Sequence, residues 1–265
     1  LAGIPYNVPG ETINRLCASG MSSIIHAHRA IKANDGDLFI SGGVENMTRG
    51  PLVISKASTA YGRDSKMFDS SFGWRFINPL LDKLYGTDSM GTTAENLVSK
   101  YNISREDQDK FAYNSQMKAS LSQKNGVFEQ EIVKVVIPQR KKENIIFDKD
   151  EFIKPNTSIE ILSKLRAAFK KDGSVTAGNS SGLNDGAAAM LLSSDEGLKK
   201  FNLKPKARII SSAVVGVEPK IMGIGPVYAS IKALNKANLS LDDMDVIEIN
   251  EAFSAQALAL SLIHI

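Results

Sequence analysis

The amino-acid sequence predicts an α/β fold, and three observations support that expectation. Apolar runs and helical patterns alternate over residues 11–47 and again over residues 187–253, as strands and helices do in α/β proteins. Between them, residues 48–181 are densely punctuated by Gly and Pro, which predicts an inserted, loop-rich domain. The 265 residues, 43% of them hydrophobic, can bury a core of real size.

The first αβ block is predicted to contain a strand, a helix and a second strand. Residues 11–16 form the first predicted strand. Apolar side chains over residues 21–31 recur at helical spacing, which predicts a helix ending near Asn34. Residues 38–43 form the next strand. Because a strand–helix–strand unit of this kind makes a right-handed crossover, we expect a parallel sheet.

Two helices and one strand are predicted within the insertion. Residues 92–100 and 105–124 show helical periodicity. Ser104 can cap the second helix, because Asp107 follows three positions later as a shortened capping box. Residues 131–138 alternate as a strand does.

The regular pattern of strands and helices resumes after the insertion. The predicted strands are 187–192, 207–217 and 245–249, and the predicted helices are 196–201 and 227–238. We expect the first of these strands to be buried. The last strand leads into the sequence Asn-Glu-Ala-Phe at 250–253, which is therefore expected at the carboxyl end of a parallel strand, where ligands bind in open α/β sheets.

Composition excludes several classes of protein. The net charge of +3, from 32 Lys and Arg against 29 Asp and Glu, is too small to predict nucleic-acid binding. No apolar run approaches the ~20 residues that span a bilayer, so no membrane association is expected. The single cysteine excludes an internal disulfide framework and a multi-cysteine metal site, and it favours a reducing, cytoplasmic location.

Cys17 is the candidate nucleophile. It is predicted to lie between a strand end and a helix start, where the positive end of the helix dipole favours the thiolate. The small residues Ala18, Ser19 and Gly20 leave room for an acyl group. The alternative is a buried structural cysteine, because free cysteines are among the most buried residues in proteins.

His26 and His28 are the obvious candidate bases for Cys17, but their spacing argues against both. They follow Cys17 by nine and eleven residues on the same predicted helix, which places their Cα atoms about 13 Å or more away. A general base must come within about 3 Å of its partner. We expect His28 to be a core histidine on the apolar stripe and His26 to lie on the opposite face.

Two further segments are candidates for chemistry, and each has a structural alternative. Residues 175–182, Val-Thr-Ala-Gly-Asn-Ser-Ser-Gly, could present N–H groups and hydroxyls to an anion, or could be a tight turn in which glycine supplies a positive φ. Asn250 could donate to an oxyanion or hold a water, with Glu251 orienting a neighbour. Alternatively, Asn250 caps the following helix.

Taken together, these segments resemble the thiolase family. The resemblance extends from Ala2 to about Ala259 and depends on several motifs in the family's order and spacing. The motifs are residues 14–20 (NRLCASG), 42–48 (GGVENMT), 90–96 (MGTTAEN), 176–182 (TAGNSSG), 222–226 (MGIGP) and 250–253 (NEAF). Several motifs in register are far more specific than any one of them.

The resemblance implies roles for four residues. Cys17 matches the cysteine that becomes acylated, and its backbone N–H would contribute to one oxyanion hole. Asn250 matches the asparagine that holds a water in the other oxyanion hole. Ser181 matches a serine near the pantetheine arm of coenzyme A. Lys154 lies where members carry a basic residue near the phosphates of the coenzyme.

The resemblance also implies a degradative acyl transfer. Ser89 stands where some biosynthetic members have histidine, and residues 72–79 resemble degradative 3-oxoacyl-CoA or 3-oxoadipyl-CoA thiolases, including those of fatty-acid β-oxidation. In the family, the thiolate attacks the 3-keto carbon, acetyl-CoA leaves, and free CoA takes the acyl group from the cysteine. No metal or tightly held cofactor is implied, because CoA is a substrate. Members are dimers or tetramers.

The implied architecture is the thiolase fold, in which two related halves stack in five layers, αβαβα, with a loop domain over the active site. On this basis residues 1–47 and 182–203 are predicted to belong to the N-terminal half and residues 48–181 to the loop domain. Residues 204–259 are predicted to start the C-terminal half, and residues 260–265 to be a non-native tail.

The chain is also expected to be a fragment, truncated at both ends. It lacks the family's downstream Gly-His-Pro histidine, which activates the nucleophile, and the Cys-x-Gly cysteine, which serves as acid and base; His264 is too close to Asn250 to replace that histidine. We therefore expect a chain without turnover, poorly soluble or partly molten, because apolar faces and sheet edges stay uncovered.

One alternative function is a non-catalytic thiolase-like carrier of acyl-CoA or lipid, and another is a redox-sensing single-cysteine protein.

Overall fold

The computed structural model of the chain describes residues 2–262 and contains two compact units. The first unit is formed by Leu1–Phe72 with Leu183–Ser212, and the second by Gly73–Gly182 with Ala213–Ile265. Within the described residues, no helix is both long enough and apolar enough to cross a bilayer. The domain boundaries expected from the sequence stay a prediction.

Helices and strands follow one another along the described residues. The helices are α1 (Ser19–Lys32), α2 (Pro79–Tyr85), α3 (Met90–Tyr101), α4 (Arg105–Lys124), α5 (Ile159–Ser163), α6 (Asp195–Lys200), α7 (Gly225–Ala237) and α8 (Ser254–Leu262). The strands are β1 (Leu38–Glu45), β2 (Leu52–Ile54), β3 (Met67–Asp69), β4 (Val135–Ile137), β5 (Ile145–Phe147) and β6 (Gly186–Ser193). The predicted tail begins inside α8; its last three residues, His264 among them, lie outside the described residues.

The helices predicted from the sequence all form, and their local end signals explain why. Ser104 caps α4 as predicted, because its Oγ accepts a hydrogen bond from the Asp107 backbone N–H at 3.0 Å. α3 and α7 each end at an asparagine in the left-handed region, Asn102 with φ 52° and Asn238 with φ 55°. A left-handed residue at this position is a common way for a helix to stop.

The longest sheet of the first unit is antiparallel, so the expected parallel sheet is wrong. β1 and β6 pair over all eight residues of each strand, and α1 packs against β1. The reason is that β1 takes its partner from the segment after the insertion and not from residues 11–16. The expected burial of β6 is also wrong: Leu192 is buried, but Met190 and Leu191 are about half exposed.

Three other predicted strands do not form among residues 2–262. Residues 11–16, 207–217 and 245–249 join no sheet, and the last of them exposes Val246 at 76% and Ile247 at 47%. A strand is stable only beside a neighbour that pairs its backbone groups, and an apolar pattern does not supply that neighbour. The strand expected over residues 131–138 shrinks to β4, which pairs with β5 in a small hairpin.

Two clusters of buried side chains form the core of the second unit. The first cluster joins α3, α8 and the 3₁₀ turn at Pro219–Ile224, and its members are Leu97, Ile103, Ile221, Ile224 and Ala259. The second cluster is formed by Ala94 of α3, Ala255 of α8 and Val175, which lies in the turn before β6. Phe169 and Phe253 pack against this cluster and contact each other edge to face. This core therefore packs the turn around residue 175 against the start of α8.

Candidate active site

Cys17 lies in a 3₁₀ turn, Leu16–Ala18, immediately before α1, and it is exposed. Leu16 adopts a left-handed φ of 49°, and its backbone N–H donates to Asn14 Oδ1 at 2.9 Å. Ser19 Oγ donates to the Leu16 carbonyl at 2.7 Å and accepts from the Arg15 N–H at 2.8 Å. The thiol is therefore open to a reactant, which argues against a buried structural cysteine.

The two histidines of α1 lie away from the start of the helix, as their spacing predicts. His26 Nδ1 is 3.6 Å from Glu11 Oε1. His28 is half-buried, and desolvation, followed by the charges of Lys32 and Arg29, lowers the pKa of its imidazole below the ordinary value. Because His28 is only half-buried, the expectation of a core histidine is met in part.

The polar side chains of the turn at 175–182 form hydrogen bonds within the protein. Asn179 is buried; its Oδ1 accepts from the Thr176 N–H at 2.7 Å, and its Nδ2 donates to Asp109 Oδ1 at 3.0 Å. Ser180 Oγ donates to the Thr176 carbonyl at 2.6 Å. Because these groups are satisfied internally, they are not free to bind an anion.

The alternative of a glycine-driven turn does not describe this segment either. Among the described residues, neither Gly178 nor Gly182 has a positive φ. Gly178 instead packs against leucine side chains: a Cβ atom there would lie 2.5 Å from Leu165 Cδ1 and 2.6 Å from Leu162 Cδ2, so those side chains would have to shift. Three residues of the turn, Val175, Thr176 and Asn179, are buried, and the turn ends at the exposed Ser181.

Ser181 and the Asn250 segment are neighbours within the second unit. The Ser181 N–H donates to the Ala252 carbonyl at 2.9 Å, and the Ser254 N–H donates to the Asn179 carbonyl at 2.9 Å. These two bonds form a short antiparallel ladder. Asn250 is exposed at the end of this ladder.

Asn250 is not a helix cap. α8 begins at Ser254, four residues further on, so the capping alternative for Asn250 is wrong. Nor does a strand lead into it, because residues 245–249 are irregular. The adjacent Glu251 is held from α4, where Ser115 Oγ donates to Glu251 Oε2 at 2.5 Å.

Lys154 and Ser89 are the remaining residues implied by the sequence. The Lys154 backbone N–H donates to Gln116 Oε1 at 2.8 Å, while its exposed ammonium lies 5.5 Å from the centroid of the Phe152 ring. The ammonium donates to the Glu151 carbonyl at 3.4 Å, and among residues 2–262 no carboxylate forms an ion pair with it. Ser89 caps α3, with its Oγ accepting from the Thr92 N–H at 3.2 Å.

The structure brings the segments of Ser181 and Asn250 together and places Lys154 in the same unit. Lys154, Ser181 and Asn250 all belong to the second unit, whereas Cys17 belongs to the first. The side chains of α4 that hold their segments were not predicted; the sequence offers only polar residues at helical spacing as a signal. Within the described residues, no group of three or more His, Cys, Asp or Glu side chains could hold a metal ion.

Two family models match this chain. The model described as "Thiolase, N-terminal domain" matches residues 1–196, and the one described as "Thiolase, C-terminal domain" matches residues 203–263. The chain belongs to the thiolase family, as the motifs predicted.

Curated relatives carry a more particular name. A beta-ketoadipyl-CoA thiolase of Acinetobacter baylyi is 54% identical over 259 residues, which cover 98% of this chain and 65% of that protein. The 3-oxoadipyl-CoA/3-oxo-5,6-dehydrosuberyl-CoA thiolase of Escherichia coli is 51% identical over 260 residues, with the same coverage. The chain thus spans about 65% of the length of these relatives.

Solved structures confirm the α/β thiolase fold. Human mitochondrial 3-ketoacyl-CoA thiolase superposes with a TM-score of 0.88 at 41% identity, over 98% of this chain and 65% of that one. Bacillus anthracis acetyl-CoA acetyltransferase gives 0.87 at 41% identity, over 99% and 65%. The arrangement of helices and strands is therefore that of known thiolases, although its sheet pairing was not predicted.

Proposed function

We propose that this chain is the larger part of a thiolase, an acyltransferase that cleaves 3-oxoacyl-CoA with free CoA. The observation that carries the proposal is the exposed Cys17 thiol in the turn before α1, inside the segment matched by the thiolase N-terminal family model. A thiol that is to carry an acyl group must be accessible to a bulky thioester, and this one is.

The proposed reaction has two steps. The Cys17 thiolate attacks the C3 carbonyl carbon, the C2–C3 bond breaks with its electron pair going to C2, and the acetyl-CoA enolate takes a proton. The thiolate of CoA then attacks the acyl thioester, and Cys17 Sγ leaves as the thiolate. The thiolase resemblance implies a second cysteine as the acid that protonates the enolate, and since this chain has only Cys17, that cysteine is not among its 265 residues.

Three further residues have proposed roles in binding. The exposed Asn250 amide orients a water toward the thioester oxygen, where it stabilises negative charge as it develops. Ser181, beside it across the short ladder, contacts the pantetheine arm. Lys154, whose ammonium has no ion pair among residues 2–262, neutralises phosphate charge of the coenzyme.

The proposed substrate is 3-oxoadipyl-CoA and not a straight-chain acyl-CoA of β-oxidation. The support is the names of the relatives: two proteins of Acinetobacter baylyi, at 54% and 53% identity, are beta-ketoadipyl-CoA thiolases. An assembly of identical subunits and a cytoplasmic location are also proposed, and both stay predictions.

Product analysis of the full-length protein tests this function. With 3-oxoadipyl-CoA and CoA, we expect one acetyl-CoA released for each 3-oxoadipyl-CoA consumed, measured by chromatography. The 265-residue chain is the matched control and should show no turnover, because it lacks the second cysteine. A full-length protein that binds acyl-CoA without forming acetyl-CoA would support the carrier alternative and contradict an enzyme.

A further inference from the structure

One helix contacts the three segments that carry candidate binding residues. Within the second unit, three polar side chains of α4 each hydrogen-bond to a different segment. They are Asp109 to Asn179, Ser115 to Glu251 and Gln116 to the backbone of Lys154. Asp109 and Gln116 lie on one face of α4, with Ala112 between them, and Ser115 borders that face. The three contacts therefore come from one continuous part of the helix surface.

The contact made by Asp109 is buried and charged. Asp109 is 2% exposed; its Oδ2 accepts from Arg105 Nε at 2.8 Å and its Oδ1 from Asn179 Nδ2 at 3.0 Å. Displacing Asn179 would leave a buried carboxylate short of a donor, which is costly. Since the Asn179 carbonyl accepts from the Ser254 N–H, the position of Asn179 also fixes the residues that follow Asn250.

The contact made by Ser115 holds the same segment at Glu251, before the residues that pair with Asn179 and Ser181. Its hydroxyl donates to the carboxylate of Glu251, the residue next to Asn250, in a short bond of 2.5 Å. Glu251 is exposed, so without this bond its side chain has several rotamers to choose from. One hydroxyl on α4 thus restricts the side chain of the residue next to Asn250.

We propose that Ser115 and Asp109 are positioning residues for acyl transfer, and that α4 sets the relative placement of Ser181 and Asn250. The inference rests on the proposed function. Neither residue touches the substrate: Ser115 acts through Glu251, and Asp109 acts through Asn179. A misplacement of about 1 Å in a catalytic group costs up to about 100-fold in rate, so small losses of placement are measurable.

The Ser115 series tests this in the full-length protein. In Ser115→Ala we expect kcat to fall about 10-fold or more while KM for CoA stays within about twofold, and Ser115→Thr, which keeps the hydroxyl, should restore kcat. Ser122→Ala is the matched control on the same helix and should behave as wild type. An unchanged kcat in Ser115→Ala, or a Ser115→Thr as slow as Ser115→Ala, would overturn the proposal.

A charge exchange between Asp109 and Asn179 supplies a readout that needs no turnover. Asn179→Asp places two buried carboxyls together, one of which must hold a proton; we expect the Ser254 amide to exchange its hydrogen about tenfold faster or more. Asp109→Asn combined with Asn179→Asp restores one carboxylate and one amide and should restore part of the protection, because the Ser174 carbonyl, which accepts from Asn179 Nδ2 at 3.2 Å, still loses its donor. Unchanged exchange in Asn179→Asp, or no recovery in the double variant, contradicts the role of Asp109. If wild type lacks thiolysis, the proposed function fails, while this result still decides the placement by α4.

Discussion

At the scale of single residues, Cys17 owes its accessibility to the backbone on either side of it. Leu16 occupies the left-handed region, which costs a residue with a side chain about 1–2 kcal/mol. Hydrogen bonds to Asn14 and Ser19 hold it there. The motif predicted a nucleophile at the start of a helix, but the 3₁₀ turn that presents the thiol follows from these two local contacts, which no periodicity reveals.

A carboxyl in the first unit gives a residue-scale prediction. Asp185 accepts from Thr48 Oγ1 at 2.7 Å and from the Thr48 N–H at 2.9 Å, and the hydroxyl is the largest cause that lowers the pKa of Asp185 below 3.8. Because the pKa of Asp185 is lower in the folded protein than in the unfolded chain, its ionised form stabilises the fold at pH values above the unfolded pKa. This stabilisation is lost as the pH falls through the folded pKa. In Thr48→Val we expect an NMR titration of Asp185 to move back toward 3.8.

Thr48→Ser is the control for that titration. It keeps the hydroxyl and the backbone N–H, so the Asp185 midpoint should match that of wild type. A midpoint in Thr48→Val that is no higher than in Thr48→Ser would show that the hydroxyl does not hold this carboxylate.

At the scale of elements, every predicted helix forms, whereas only some of the predicted strands do, among them residues 38–43 in β1 and 187–192 in β6. Ser104 and Asn102 mark helix ends by bonds within a few residues, so α3 and α4 form where predicted. Residues 207–217 and 245–249 carry an equally apolar pattern but have no partner strand among residues 2–262. Strand pairing is a non-local property, and a single sequence does not contain its register.

α3 gives a prediction at the same scale. Gly91 is its second residue, and a Cβ atom there would lie 2.0 Å from Phe169 Cγ in the core of the second unit. We expect Gly91→Ala to lower the free energy of unfolding by about 1–3 kcal/mol, because the ring must move. Urea denaturation measures the change.

Gly20 supplies the matched comparison for Gly91. It is the second residue of α1, and a Cβ atom there would meet nothing within 4 Å. Gly20→Ala should therefore leave stability unchanged or raise it by up to about 1 kcal/mol through helix propensity. Equal effects of the two substitutions would mean that the contact with Phe169 does not constrain α3.

At the scale of the whole molecule, the family and the fold class were predictable, but the support of the site was not. The motifs around Cys17, Ser181 and Asn250 identify a thiolase because they occur together and in order. Ser115 and Asp109, by contrast, are distant from those motifs in the sequence and meet them only after folding. Their polar side chains on a helix predict a solvated face as readily as a buried contact.

Uncovered apolar surface is a second property of the whole chain. Val44 on β1 is 78% exposed, Ile40 63% and Val246 76%, in a chain that spans about 65% of the length of its curated relatives. Exposed apolar patches of this kind favour association. The poor solubility expected of the isolated chain therefore stays a prediction.

The central claim is that Cys17 carries the acyl group, and intact-protein mass spectrometry of the full-length protein tests it most directly. After incubation with acyl-CoA, we expect one added acyl group that peptide mapping places on Cys17. Cys17→Ala should show no adduct, whereas His26→Ala, on the helix that follows Cys17, should retain it. An undiminished adduct in Cys17→Ala would contradict the account, because the nucleophile would then lie elsewhere.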